Sequence, residues 1–160
     1  MTRVRLAPRR TSALLAVLAM GMFTSVAFAL GITGTERGDR LVGTAAADTI
    51  IALGGGDRVS GGGGGDIIDG GAGADLLKGE DGNDAILGGD GGDSIDGGAG
   101  NDLITGAAGF DHIDGDDGAD AIGSADGALD FVECGEGVDS AYVDAGDYVE
   151  DDCEHVVVAP

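Results

Sequence analysis

The 160-residue chain has no tryptophan, only four phenylalanines and two tyrosines, two histidines, two cysteines and eight basic residues. Each shortage excludes something. Four of the basic residues, Arg3, Arg5, Arg9 and Arg10, fall in the first ten positions, so the chain from Leu30 onward sets thirty acids against Arg37, Arg40, Arg58 and Lys78, a formal charge of −26. Such a chain repels itself and every anionic partner, which argues against nucleic acid and against an anionic membrane surface, and for cations. His112 and His155 are too few and too scattered to supply the ligands that zinc or copper favours. Apolar length is scarce too: residues 13–23 fall short of the roughly 20 residues that a bilayer span requires, so membrane insertion is not expected.

That apolar run lies between the basic start and Ala27-Phe28-Ala29, a small-x-small cleavage site. The three-part pattern predicts a signal peptide over residues 1–29, removed on export. Arg9-Arg10 is not accompanied by the rest of a twin-arginine signal. The remaining chain, from Leu30 to Pro160, is long enough for one domain and is expected outside the cell. Two cysteines in an exported chain, Cys134 and Cys153, most simply form one disulfide.

What the sequence has in abundance is glycine and aspartate at a fixed interval. From Gly34 to Gly123 it divides without insertion into ten nonapeptides, among them GGAGADLLK (70–78) and GGAGNDLIT (97–105). The sixth position is aspartate in all ten: Asp39, Asp48, Asp57, Asp66, Asp75, Asp84, Asp93, Asp102, Asp111 and Asp120. The eighth is aliphatic in all ten, from Leu41 to Ile122, and the first is glycine in nine, with Ala52 the exception. Bulk composition alone would suit a disordered acidic tail, but disorder gives no reason to hold an aliphatic residue in register through ninety residues. A period of nine fits neither a helix nor a long amphipathic strand, and fixed repetition of this kind marks a stacked solenoid.

Each repeat reads as a turn followed by a short strand. Positions one to six are mostly residues that tolerate tight turning, and positions seven to nine bring β-favouring ones with the eighth directed inward. One aliphatic side chain per nine residues is a thin core, so each turn needs a further fastener. Every turn offers one carboxylate and several backbone carbonyls. These are hard oxygen ligands, suited to Ca²⁺ with its six to eight oxygens and less to Mg²⁺, which demands a rigid octahedron.

The pattern GGxGxDxUx, with U a large aliphatic, resembles the calcium-binding nonapeptide of the RTX (haemolysin-type) repeats across residues 34–123. The resemblance implies an all-β, right-handed parallel β-roll in which two nonapeptides make one eighteen-residue coil. It implies Ca²⁺ between stacked turns, with Asp39, Asp57, Asp75, Asp93 and Asp111 along one edge and Asp48, Asp66, Asp84, Asp102 and Asp120 along the other. A site shared by turns two repeats apart allows at most eight ions in ten repeats. Arg37, Ala46 and Ala52 replace pattern glycines, so the first sites are expected to be weak or empty.

Residues 30–33 read as a lead-in and 124–160 as degenerate repeats forming a C-terminal cap. Asp130, Asp139 and Asp147 continue the series at intervals of ten, nine and eight, which suggests one further coil. Phe131, Tyr142, Tyr148 and Val156-Val157-Val158 bring the bulk that the repeats lack, and Cys134 and Cys153 sit about one coil apart, where a disulfide would staple the cap. No HExxH, GxSxG or phosphate-binding Gly-x₄-Gly-Lys loop is present, an EF-hand does not fit around Asp114, Asp116 and Asp117, and the outward threonine ladder of an ice-binding face is missing. The expected function is a secreted calcium-binding structural or interaction module and not an enzyme. A calcium-dependent adhesin or matrix component with an extracellular partner is the alternative, followed by an accessory domain of an extracellular hydrolase.

Overall fold

A computed structural model describes residues 29–160; the expected leader, apart from Ala29, lies outside them. Among the described residues all regular structure is β-strand, arranged as two parallel sheets that the chain visits alternately. One sheet contains β1 (Gly31–Thr35), β3 (Thr49–Leu53), β5 (Ile67–Ala72), β7 (Ala85–Asp90), β9 (Leu103–Ala108), β12 (Ala121–Gly123), β15 (Ser140–Val143) and β17 (His155–Val158), in that order. The other runs β2 (Arg40–Val42), β4 (Arg58–Gly63), β6 (Leu76–Asp81), β8 (Ser94–Ala99), β10 (His112–Asp114), β13 (Phe131–Glu133) and β16 (Tyr148–Val149), with two-residue β11 (Asp117–Gly118) and β14 (Glu136–Gly137) beside it. The chain is therefore a parallel β-solenoid in which two nonapeptides make one coil, as the resemblance implied.

The register follows from the sequence period. Ile50 pairs with Ile68, Ile68 with Ile86 and Ile86 with Ile104, each eighteen residues on. The eighth-position side chains thus form one apolar column per sheet, and Ile50, Val59, Ile68, Leu77, Ile86, Ile95, Ile104, Ile113 and Ile122 are all buried between the sheets. Strands are longer than a three-residue reading of positions seven to nine predicts: β5 to β9 run on to the third position of the next repeat. Because the neighbouring coil has the same sequence pattern, ladder pairing continues through the glycines, as in Gly71 with Gly89 and Ala72 with Asp90.

The roll extends beyond the regular repeats at both ends. The lead-in joins Gly34 and Thr35 in β1, where Ile32 pairs with Ile50. At the C-terminal end the chain adds β13 and β16 to one sheet and β15 and β17 to the other, two strands each, where the aspartate spacing had suggested a single coil. The intervals become irregular there, and what holds the strands is pairing (Ile113 with Val132, Ile122 with Ala141, Ala141 with Val156), not strict repetition. Cys134 and Cys153 form the expected disulfide, with Cα atoms 5.1 Å apart.

Candidate metal-binding turns

The ten sixth-position aspartates lie in the turns that connect the two sheets, and hydrogen bonds sort them into two ladders. The backbone N–H of Asp39 donates to Asp57 Oδ1 at 2.6 Å, Asp57 to Asp75 at 2.7 Å, Asp75 to Asp93 at 2.8 Å and Asp93 to Asp111 at 2.8 Å. The second ladder runs from Asp48 through Asp66, Asp84 and Asp102 to Asp120, each step 2.7–2.8 Å. The two sets are those that the resemblance assigned to opposite edges. Both ladders extend past the regular repeats, Asp111 donating to Asp130 and Asp120 to Asp139, each nineteen residues on. Asp130 and Asp139 were not among the expected ligands, although an aliphatic or small residue two positions later (Val132, Ala141) marks both. Asp147 and Glu154 accept the last rungs.

Each rung uses one carboxylate oxygen. The other, Oδ2, is buried without any hydrogen-bond partner at Asp57, Asp66, Asp75, Asp84, Asp93, Asp102, Asp111, Asp120, Asp130 and Asp139. These side chains are at most 3% exposed, and the ion pairs among the described residues, Lys78 with Asp96 and His112 with Glu133, involve none of them. An unpaired buried carboxylate is among the costliest groups a protein can hold. Burial accordingly pushes Asp66, Asp75, Asp84, Asp111 and Asp120 above the ordinary aspartate range. Asp93, Asp102 and Asp130 rise to about 6, burial being offset only in part by the N–H of the preceding rung and reinforced by neighbouring carboxylates.

The glycines shape the space around these oxygens. A Cβ on Gly88 would stand 2.6 Å from Asp93 Oδ2 and 2.5 Å from the Gly106 carbonyl oxygen, so first-position glycine leaves room for the carboxylate. At the fourth position Gly73 takes φ of 137° and a Cβ there would overlap the Gly55 carbonyl, so turns stack backbone on backbone. The second position is left-handed as well from the third repeat to the tenth, even at Leu53, Glu80, Ala107 and Asp116.

The first two turns differ. Their second positions are β-branched Thr35 and Thr44, which do not adopt the left-handed conformation. Thr35 donates from its N–H at 2.7 Å and its hydroxyl at 2.8 Å to Asp39 Oδ2, and the Thr44 N–H donates to Asp48 Oδ2 at 2.5 Å. Asp48 Oδ1 accepts from the Leu30 N–H, also at 2.5 Å. Burial is the largest single influence on Asp48 and acts upward, yet the donors at Leu30 and Thr44 outweigh it and hold the group below the ordinary range. Protein donors thus occupy the oxygens that are orphaned in the later turns.

A hard cation fits this arrangement. Each later turn presents one buried, partnerless carboxylate oxygen in a cradle that a side chain would fill, and backbone carbonyls are further oxygens of every turn. Side chains alone bring three candidate ligands together only at Cys134, Asp152 and Cys153 among the described residues, and those two sulfurs are bonded to each other.

A family model described as the RTX calcium-binding nonapeptide repeat, in four copies, matches residues 33–68, 60–95 and 96–128. No curated protein matches the chain.

Proposed function

Because the chain belongs to the family of RTX calcium-binding nonapeptide repeats, we propose that it is a secreted structural module whose folding depends on Ca²⁺ held by the aspartates of stacked turns. The observation that carries this reading is the series of ten buried Oδ2 atoms without a partner, spaced one per turn along both edges. Ca²⁺, when bound, supplies the positive charge and coordination that these oxygens lack. The residues that would hold it are Asp57, Asp66, Asp75, Asp84, Asp93, Asp102, Asp111 and Asp120, together with Asp130 and Asp139 beyond the regular repeats and backbone carbonyls of the same turns. Asp39 and Asp48 contribute least, since Thr35 and Thr44 already donate to them.

The protein's own part is to fix each carboxylate by one N–H from the preceding coil and to keep the cradle empty of side chains. Without cations the thin apolar column must offset a row of buried like charges, which it cannot do over many coils. In this reading residues 1–29 are a leader removed after Ala29, 34–123 are the calcium-binding roll and 124–160 the degenerate repeats that form its C-terminal end, stapled by Cys134 and Cys153. The chain acts by presenting a rigid rod outside the cell, and not by catalysis.

Equilibrium dialysis of the purified protein followed by metal analysis tests the assignment. Several Ca²⁺ per chain are expected, with Mg²⁺ a poor competitor. Less than one Ca²⁺ per chain, or equal displacement by Mg²⁺, contradicts it.

A further inference from the structure

The contacts that repeat through a solenoid stop at its two ends. Among the described residues β1 and β2 end the two sheets on one side, and β17 and β16 end them on the other. All pairings are parallel, so the two end faces are the two complementary halves of the contact made between every pair of coils.

Among the described residues nothing covers the apolar columns at these faces. One column runs from Ile32 through Ile50 to Ala141 and Val156, the other from Leu41 through Val59 to Val132 and Val149. Ile32, Leu41 and Val149 are only partly covered. Val156 and Val158 pair with the buried Ala141 and Val143 yet are 42% and 53% exposed, because among the described residues no coil lies over them. Continuing the same register places Val156 of one molecule on Ile32 of another and Val149 on Leu41.

The outer surface of the second sheet points the same way. His112, Phe131 and Tyr148 stack in a column with ring centroids 4.9 and 4.8 Å apart, and Tyr148 ends the stack 57% exposed. The opposite end of that column is Arg40, paired with Arg58. In a continued register Arg40 lies on Tyr148, a guanidinium over a ring face. Charge is polarised along the rod to match. The first three repeats set Arg37, Arg40 and Arg58 against Glu36, Asp39, Asp48 and Asp57 and are nearly neutral, while residues 144–160 carry Asp144, Asp147, Glu150, Asp151, Asp152 and Glu154 with no lysine or arginine. Two C-terminal ends therefore repel each other more strongly than a C-terminal and an N-terminal end do, and Arg37 and Arg40 set cations against the acids of the C-terminal face.

We infer that the folded protein associates head to tail with further copies of itself, the C-terminal face of one on the N-terminal face of the next. Such a heterologous contact between translated copies does not close, so it builds extended fibres and not a fixed oligomer. The inference rests on the calcium-dependent fold and on removal of the leader, since Leu30 lies at the N-terminal face.

Sedimentation velocity of the exported protein in saturating Ca²⁺ tests it, with intact mass to verify processing and circular dichroism to verify folding. A concentration-dependent series of species longer than dimers is expected, shortened by salt. Val156→Lys blocks one face and Ile32→Lys the other; each variant alone is expected to be monomeric, and their equimolar mixture to form dimers and nothing longer. Arg40→Glu, on the outer surface, should weaken association about tenfold without touching the column, which covers the case in which Ile32→Lys disturbs folding. A processed, folded protein that stays monomeric at every concentration overturns the inference while leaving the calcium reading intact. So does a Val156→Lys or Ile32→Lys variant that still dimerises alone, which would mean that like faces meet. A chain that is processed but unfolded in Ca²⁺ refutes the underlying reading instead.

Discussion

The first two turns of the roll and the turns that follow solve the same problem with different chemistry. In both, a carboxylate is carried into the edge of the solenoid, and from Asp48 onward one oxygen is fixed by a backbone N–H of the preceding coil. At Asp39 and Asp48 the second oxygen is satisfied by Thr35 and Thr44, and Asp48 is held below the ordinary range. At Asp57 and at the later sixth-position aspartates the second position is left-handed, the second oxygen has no protein donor, and burial drives most of these groups upward. A threonine in place of a left-handed second residue separates a turn closed by the protein itself from a turn whose second carboxylate oxygen has no protein donor. The contrast teaches that whether a turn leaves a carboxylate oxygen free for a cation goes with its second residue, and not with the aspartate alone.

The largest test of that contrast replaces ligands on the two sides of it. Asp84→Ala with Asp102→Ala, mid-roll on one edge, should raise the calcium concentration at half-folding by about tenfold or more, read by circular dichroism. Asp39→Ala should leave that midpoint nearly unchanged. Equal shifts for the two would erase the distinction.

Acidity should act oppositely on the two kinds of turn. Asp93, Asp102 and Asp130 have folded values of about 6 in the metal-free roll, above an unfolded aspartate. Their contribution to the metal-free fold is therefore fully present below the unfolded value, near 4, and is lost as pH rises through about 6. Asp48 is lowered, so its contribution is present above the unfolded value and lost as pH falls through its folded one. Because the raised groups outnumber it, calcium-free protein should retain more β-structure at about pH 4 than at pH 7, and the calcium midpoint should rise as pH falls below about 6. A calcium midpoint that is independent of pH from 7 to 5 would contradict this.

Smaller effects are expected at the two ends. Cys134→Ser with Cys153→Ser removes the cap's covalent staple and should cost about 3 kcal/mol, read as a lower thermal midpoint in Ca²⁺, with little change in calcium stoichiometry. Thr44→Gly, which frees the second position to turn left-handed, should cost about 1 kcal/mol and increase the calcium needed to fold the first coil. An unchanged midpoint there would mean that the threonine is not what fastens the turn.

Most of the architecture was legible in the aspartate period, because a side chain that recurs every nine residues must recur at one place in a two-repeat coil. The same period separated the two edges correctly. The additional coils did not show in that way. Asp111 to Asp130 and Asp120 to Asp139 are nineteen residues apart and Asp130 to Asp147 seventeen, so one coil gains a residue and the next loses one, which breaks the count while leaving the strand pairing intact. Nor did the fastening of the first turns. The expectation of weak N-terminal sites rested on Arg37, Ala46 and Ala52, whereas the structure gives a different feature to the turns of Arg37 and Ala46, the threonine donors at the second position, and leaves the repeat that begins at Ala52 with an unpartnered Asp57 oxygen. That contact depends on a backbone conformation, which residue identity at the fourth position does not report.

The central claim is that metal and architecture arrive together, and a calcium titration of the purified protein at neutral pH, followed by far-ultraviolet circular dichroism, tests it most directly. The account predicts a largely unstructured chain without calcium and a cooperative gain of β-structure with half-saturation at about 10⁻⁴–10⁻³ M, the range of weak extracellular sites. Superimposable β-spectra with and without calcium would contradict it.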